Sequence, residues 1–101
     1  MAYETASRII SGRKAVGVPG VAEKLVATNT GCYRIDLSAD IANTSPIVIG
    51  GSGVVAAADA QKGVVLTPGN PPLTILARDV SSVYVDVITA DDAVVFNYYQ
   101  T

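Results

Sequence analysis

The chain has 101 residues with a formal net charge of −2; half of the residues are hydrophobic and only 16% are charged. One small domain is the natural count, and the near-neutral balance argues against nucleic acid as the main partner, because affinity for phosphates is built from many cationic contacts. With no histidine and one cysteine, Cys32, neither an intrachain disulfide nor a His/Cys zinc site is available within a chain.

Residues 1–12 read as a lead-in arm, in which Arg8-Ile9-Ile10 forms an apolar bead ahead of Ser11-Gly12. From Arg13 onward the pattern is one of short strands separated by turn signals. Residues 13–18 end at the turn pair Pro19-Gly20. Residues 21–28 carry helix formers, but turn signals on both sides fit a hairpin arm, so a strand is expected. Residues 32–39 alternate strictly: Tyr33, Ile35, Leu37 and Ala39 face one way, Cys32, Arg34, Asp36 and Ser38 the other. That alternation marks a half-buried strand and places Tyr33 in the core and Cys32 on the polar side. Ile47-Val48-Ile49 is a short β-branched run after Pro46, followed by the Gly50–Gly53 turn. Residues 54–58 fit a weak strand or one turn of helix. Val64-Val65-Leu66 precedes a proline-rich loop, Leu73–Ala77 is the next strand, and Asp79 to Ser82 turn the chain. Val83, Val85 and Val87 alternate with Tyr84, Asp86 and Ile88 and are expected to share a core with Ile35 and Leu37. Ala90-Asp91-Asp92 reads as a hairpin loop before a closing strand over 93–99, with Val94, Phe96 and Tyr98 on one face and Val95, Asn97 and Tyr99 on the other.

About eight short strands at this spacing predict an all-β fold. The expected form is a small antiparallel β-sandwich, possibly of jelly-roll type, over residues 13–101, preceded by the arm over 1–12. The apolar excess predicts that part of the surface is covered by another chain. Four of the seven basic residues (Arg8, Arg13, Lys14 and Lys24) lie in the first quarter of the chain. A basic leading segment on an acidic body suits docking on an acidic neighbour, and chance would produce the same pattern. Arg8, Ile9, Ile10, Arg13, Lys14 and the exposed closing tyrosine, Tyr99, are therefore the expected partner-binding residues.

Catalytic chemistry finds little to stand on. Histidine, the usual general acid–base, is absent. Asp91 and Asp92 are adjacent, and in a hairpin loop both are expected to face water. Gly50-Gly51-Ser52-Gly53 lacks the Gly-Lys-Ser/Thr ending of a phosphate loop. The five tyrosines suit core or interface positions better than a ligand platform. No enzyme activity, cofactor or metal is expected. No secretory leader is visible, and the longest apolar runs, five residues, fall short of a membrane span, so a product of a cytoplasm with no membrane partner is expected.

Several phrases resemble, in order, small structural proteins of tailed-phage virions. Ala42-Asn43-Thr44-Ser45-Pro46-Ile47-Val48-Ile49-Gly50 is similar to their loop and short Val-x-Val-Gly strand. Lys62 to Asn70 resembles their Gly-x-x-Leu-x-Pro-Gly turn, and Val80 to Asp86 their Leu-x-x-Val-Tyr-Val strand. The aromatic closing strand Val95–Tyr99 and the opening stretch from Ala15-Val16 to Leu25 complete the likeness. It implies a β-sandwich and a structural role in the virion, as a capsid decoration or cement protein or a head-fibre or tail-associated domain. It implies contact with the major capsid protein or another virion protein, and makes a trimer the first guess for the self-association that the apolar excess predicts. The alternative is a receptor- or carbohydrate-binding β-domain of a tail or fibre.

Overall fold

The computed structural model describes residues 6–101, so the first five residues of the expected arm lie outside the described residues. Among the described residues eight strands run in chain order: β1 (Arg8–Ala15), β2 (Glu23–Lys24), β3 (Arg34–Ala39), β4 (Ile47–Gly50), β5 (Val64–Leu66), β6 (Leu73–Ile75), β7 (Tyr84–Val87) and β8 (Ala93–Gln100). A 3₁₀ turn, Val80–Ser82, precedes β7, and the Asp79 side chain caps it by accepting from the Ser81 N–H. The strands form two four-stranded sheets ordered β1-β8-β3-β6 and β2-β7-β4-β5.

Every ladder is antiparallel, and β1 pairs with β8, β2 with β7, β3 with β6 and β4 with β5. Those four pairs are the successive rungs of one long hairpin whose tip lies between β4 and β5. The β3–β8 and β4–β7 ladders roll that hairpin into two facing sheets. This is the strand order of an eight-stranded jelly roll.

The sequence alternation explains the core. Ile35 and Leu37 of β3 and Val94 and Phe96 of β8 meet Ile47 and Ile49 of β4 and Val85 and Val87 of β7, joined by Val16, Leu25, Leu66, Val80 and Val83. Each fully buried aliphatic side chain contributes about 1.5–3 kcal/mol over its exposed state.

The outer face of the β2-β7-β4-β5 sheet is also covered. Val48 points away from the main core, yet it is fully buried with Val54 and Ala56 in a second cluster. The segment after Gly50 is neither strand nor helix; it folds back over the sheet, held by one bridge between Val55 and Lys62. Asp86 lies beneath this cover at 1% exposure. Its carboxyl accepts from the N–H groups of Gly20 (3.0 Å), Ala56 (2.9 Å) and Val87 (2.9 Å). One side chain thus pins the Pro19-Gly20 turn and the covering segment to β7.

Four expectations are corrected. Strand β1 begins at Arg8, not Arg13, because β8 offers an eight-residue partner and the ladder runs the full length from Arg8↔Gln100 to Ala15↔Ala93. Of the stretch 21–28 the strand keeps only Glu23 and Lys24, extended by one bond from Leu25 N–H to the Val83 carbonyl. Asp92 does not face water: it is buried and accepts from the N–H groups of Thr44 (3.1 Å) and Ser45 (3.0 Å), while Asp91 is exposed. Tyr33 and Cys32 exchange their expected environments. Tyr33 N–H donates to the Tyr99 carbonyl, and Tyr99 is also the ladder partner of Arg34. Two residues opposing one make a β-bulge, which shifts the phase of the alternation. Tyr33 is therefore half-buried beside Tyr99, and Cys32 packs against the core.

Candidate functional site

The expected contact residues fall on two strands of the β1-β8-β3-β6 sheet. Arg8, Ile9, Ile10, Arg13 and Lys14 belong to β1, and Tyr99 belongs to β8 directly opposite Ile9. Alternation along β1 puts Ile9, Ser11 and Arg13 on the outer face, and Arg8, Ile10, Gly12 and Lys14 on the side of the facing sheet. Ile9 is 61% exposed, whereas Ile10 is half-buried.

The structure divides the cations of β1 between its two ends, roughly 20 Å apart at strand rise. At one end, Arg13 Nε lies 2.8 Å from Asp40 Oδ2 and Lys14 Nζ lies 3.0 Å from Glu23 Oε1. At the other end Arg8 meets the aromatic end of β8. The split follows from their spacing once residues 8–15 form one extended strand, which the expected arm over 1–12 does not include.

Around Tyr99 the outer face forms a row of Ile9, Tyr99 and Arg34 on β1, β8 and β3, with Leu76 just past the end of β6. The first three are ladder partners. Leu76 falls opposite Arg34 by the register that runs from the Ile35↔Ile75 pair to the Gly31↔Asp79 bridge. Leu76 is 80% exposed. The Arg34 guanidinium carbon sits 5.3 Å from the Tyr99 ring centroid, a cation–π distance, and Tyr33 leans on the same ring at 6.4 Å. The Tyr–Arg stack matches the composition of protein-interface hot spots, and exposed aliphatics flank it.

A hydrogen-bonded row lies alongside and fixes the rotamers. Asp36 accepts from Thr74 Oγ1 (2.7 Å), Tyr99 OH (2.8 Å) and Arg34 Nε (3.0 Å), and Ser11 Oγ donates to Asn97 Oδ1 (2.6 Å). Partial burial pulls the Asp36 carboxyl upward, but the bonds from Thr74, Arg34 and Tyr99 together outweigh it and hold the group below the usual carboxylate range. The same contact, donation to Asp36, raises the Tyr99 phenol, and burial adds to it. Tyr99 is thus presented as a neutral, fixed ring.

Beside this row, at the end of the sandwich, a cleft of about 580 Å³ is lined by Arg8, Cys32, Tyr33, Arg78 and Gln100, among others. Cys32 Sγ donates to the Ala77 carbonyl at 3.0 Å. Burial, with the charge of Asp79, pushes its thiol up, which keeps it from acting as a thiolate nucleophile at neutral pH. Three of the chain's four arginines, Arg8, Arg34 and Arg78, gather at this end. No family model matches the chain, and neither a curated protein nor a solved structure matches it.

Elsewhere, among the described residues, no group of three or more His, Cys, Asp or Glu side chains could hold a metal ion. The Gly50–Gly53 turn leads into the covering segment rather than a helix, so it lacks the helix N-terminus of a phosphate loop. The sequence reading named Arg8, Ile9 and Tyr99 of the row and its cleft, but missed Arg34, Tyr33, Leu76 and Arg78. Arg34 was visible as an outward residue of an alternating strand. Arg78 and Leu76 carried no signal, because only the β3–β6 pairing brings them beside residues more than forty positions earlier.

Proposed function

We propose that the chain is a non-enzymatic structural protein of a tailed-phage virion, a decoration or cement protein that binds the major capsid protein and adds buried area between capsid subunits. The observation that carries this reading is the exposed row Ile9–Tyr99–Arg34–Leu76 next to the arginine-lined end of the sheet. Its apolar and aromatic members suit burial in a partner interface, and its guanidinium groups suit an acidic partner surface. The sheet beneath is rigid, so the surface needs little ordering on contact, which favours affinity. The jelly-roll order is used by capsid proteins and by lectins, so the fold alone does not choose between them; the ordered resemblance of the chain to virion proteins favours the first.

Co-sedimentation with undecorated capsids tests the proposal. The full chain is expected to pellet with the particles, and Ile9→Ser with Leu76→Ser is expected to abolish pelleting while the variant retains its melting profile. A chain that stays in the supernatant at tens of micromolar would remove the proposal. Retention on a glycan column, blocked by free sugar, would favour the tail or fibre binding domain instead.

A further inference from the structure

The four sheet edges of this sandwich differ sharply. Three belong to β2, β5 and β6, which are two, three and three residues long. The fourth is β1, with eight residues and no proline, and its one ladder partner among the described residues is β8. Long edges are rare in proteins that stay apart unless proline, bulges, charges or a cover protect them, because the free N–H and C=O groups template another strand; of these devices β1 carries the cations Arg8, Arg13 and Lys14.

The direction of those free groups follows from the ladder. Val16 N–H donates to the Asp92 carbonyl at 3.1 Å. Hydrogen-bonded pairs alternate along an antiparallel ladder, so Lys14, Gly12, Ile10 and Arg8 turn their backbone groups toward β8. Ile9, Ser11, Arg13 and Ala15 turn theirs outward.

We propose that two copies of the chain pair through these β1 edges, antiparallel about a two-fold axis at Gly12, to make one continuous eight-stranded sheet. In this register Gly12 faces Gly12, Ser11 faces Arg13, and Ile9 faces Ala15 of the second copy, each outward residue meeting another outward residue. The exposed Ile9 side chain gains an apolar neighbour on the outer face. No cation faces a cation. Centring the axis on Ser11 would set Arg8 against Lys14, and centring it on Arg13 would set Arg13 against itself. Matching all eight residues, Arg8 to Ala15, would bring outward groups against inward ones. Repulsion between the two basic strands is further reduced within each copy, where Asp40 holds Arg13 and Glu23 holds Lys14. Glycine at the axis suits the closer, non-hydrogen-bonded pair, where strands approach to about 4.5 Å between Cα atoms. The pairing rests on the reading that the chain self-associates, and it makes the assembly two-fold rather than three-fold.

Sedimentation velocity and residue-resolved amide exchange on the full chain, from micromolar to millimolar concentration, test it. The expected result is a dimer, with the amides of Ile9, Ser11, Arg13 and Ala15 becoming protected as it forms. Ser11→Lys should weaken the dimer, and Ser11→Glu should tighten it, each by about threefold to tenfold at low salt, since two Ser11–Arg13 pairs change at once. Those opposite signs exclude an axis at Ser11, which would make both substitutions repulsive. Oligomers in which these four amides still exchange freely would overturn the edge pairing and leave self-association standing. A 10.4 kDa monomer throughout would overturn both, and a monomer that still pellets with capsids would leave the structural role intact.

Discussion

Asp91 and Asp92 are neighbours with opposite duties. Asp91 is exposed with φ at 70°, a left-handed conformation in which a side chain is strained. Asp92 is buried and holds the backbone of Thr44 and Ser45. Asp91→Gly should therefore leave stability unchanged or raise it by up to about 1 kcal/mol. Asp92→Ala should cost about 2–3 kcal/mol, because two partly buried N–H groups lose their acceptor. Asp86→Ala should cost at least as much, since the N–H of Ala56 is fully covered. Urea melts of the three variants check this ranking. Acid adds a second readout. The Asp36, Asp40 and Asp79 carboxyls are all held below their ordinary values: Asp40 by the Ala42 N–H and Arg13, Asp79 by the Thr30 N–H and Ser81, and Asp36 by bonds that outweigh its partial burial. A depressed folded-state value means stability that is present above the unfolded carboxyl value and lost as pH falls through the folded one. The melting temperature should thus hold above about pH 4 and decline below it. Tyr99, raised by its bond to Asp36, works in the other direction: its contribution is present below the unfolded phenol value of about 10 and is lost as pH climbs through the folded value.

At the scale of strands, alternation was legible wherever a strand has one buried face and a regular ladder. The β3 positions Ile35 and Leu37 and the β8 positions Val94 and Phe96 were assigned correctly, and all are buried. Leu37→Ala should cost about 2–5 kcal/mol in a denaturant melt. Asp36→Ala on the outer face should cost less, yet more than an ordinary surface change, because three donors lose their acceptor. Alternation failed where a local device shifts its phase, as the bulge does at Tyr33, or where both faces are covered, as over Val48 and Asp86. Neither a bulge nor a covering segment has a period. Strand β1 includes Ser11-Gly12, which the sequence places at the end of a lead-in arm. The glycine has a steric cause: a Cβ at Gly12 would lie 2.6 Å from the Phe96 ring. Gly12→Ala should push that ring out of its packed position and cost about 1–3 kcal/mol, with the loss seen in the melting temperature and in the Phe96 side-chain resonances.

The whole molecule is a hairpin rolled on itself, so the first and last strands lie side by side and depend on each other. The spacing of short strands predicted a sandwich but held no trace of strand order, since pairings such as β1 with β8 join positions nearly the whole chain apart. That order changes the expected effect of truncation. A true arm over 1–12 would be dispensable for folding. Instead, Arg8 to Gly12 supply five of the eight ladder pairs that β1 makes with β8. Removing them would strip backbone partners from β8 and uncover the Phe96 ring beneath Gly12. A domain of this size has a stability of roughly 5–15 kcal/mol, and losing most of a strand consumes a large part of it. A chain lacking residues 1–12 should show no cooperative thermal transition near that of the full chain, and should bind a hydrophobic dye at room temperature. If it melts within a few degrees of the full-length protein, β1 is not integral to the sandwich and the edge it offers is not a fixed surface. Docking must accordingly be probed by point changes such as Leu76→Ser, which touch the exposed row without opening the β1–β8 ladder.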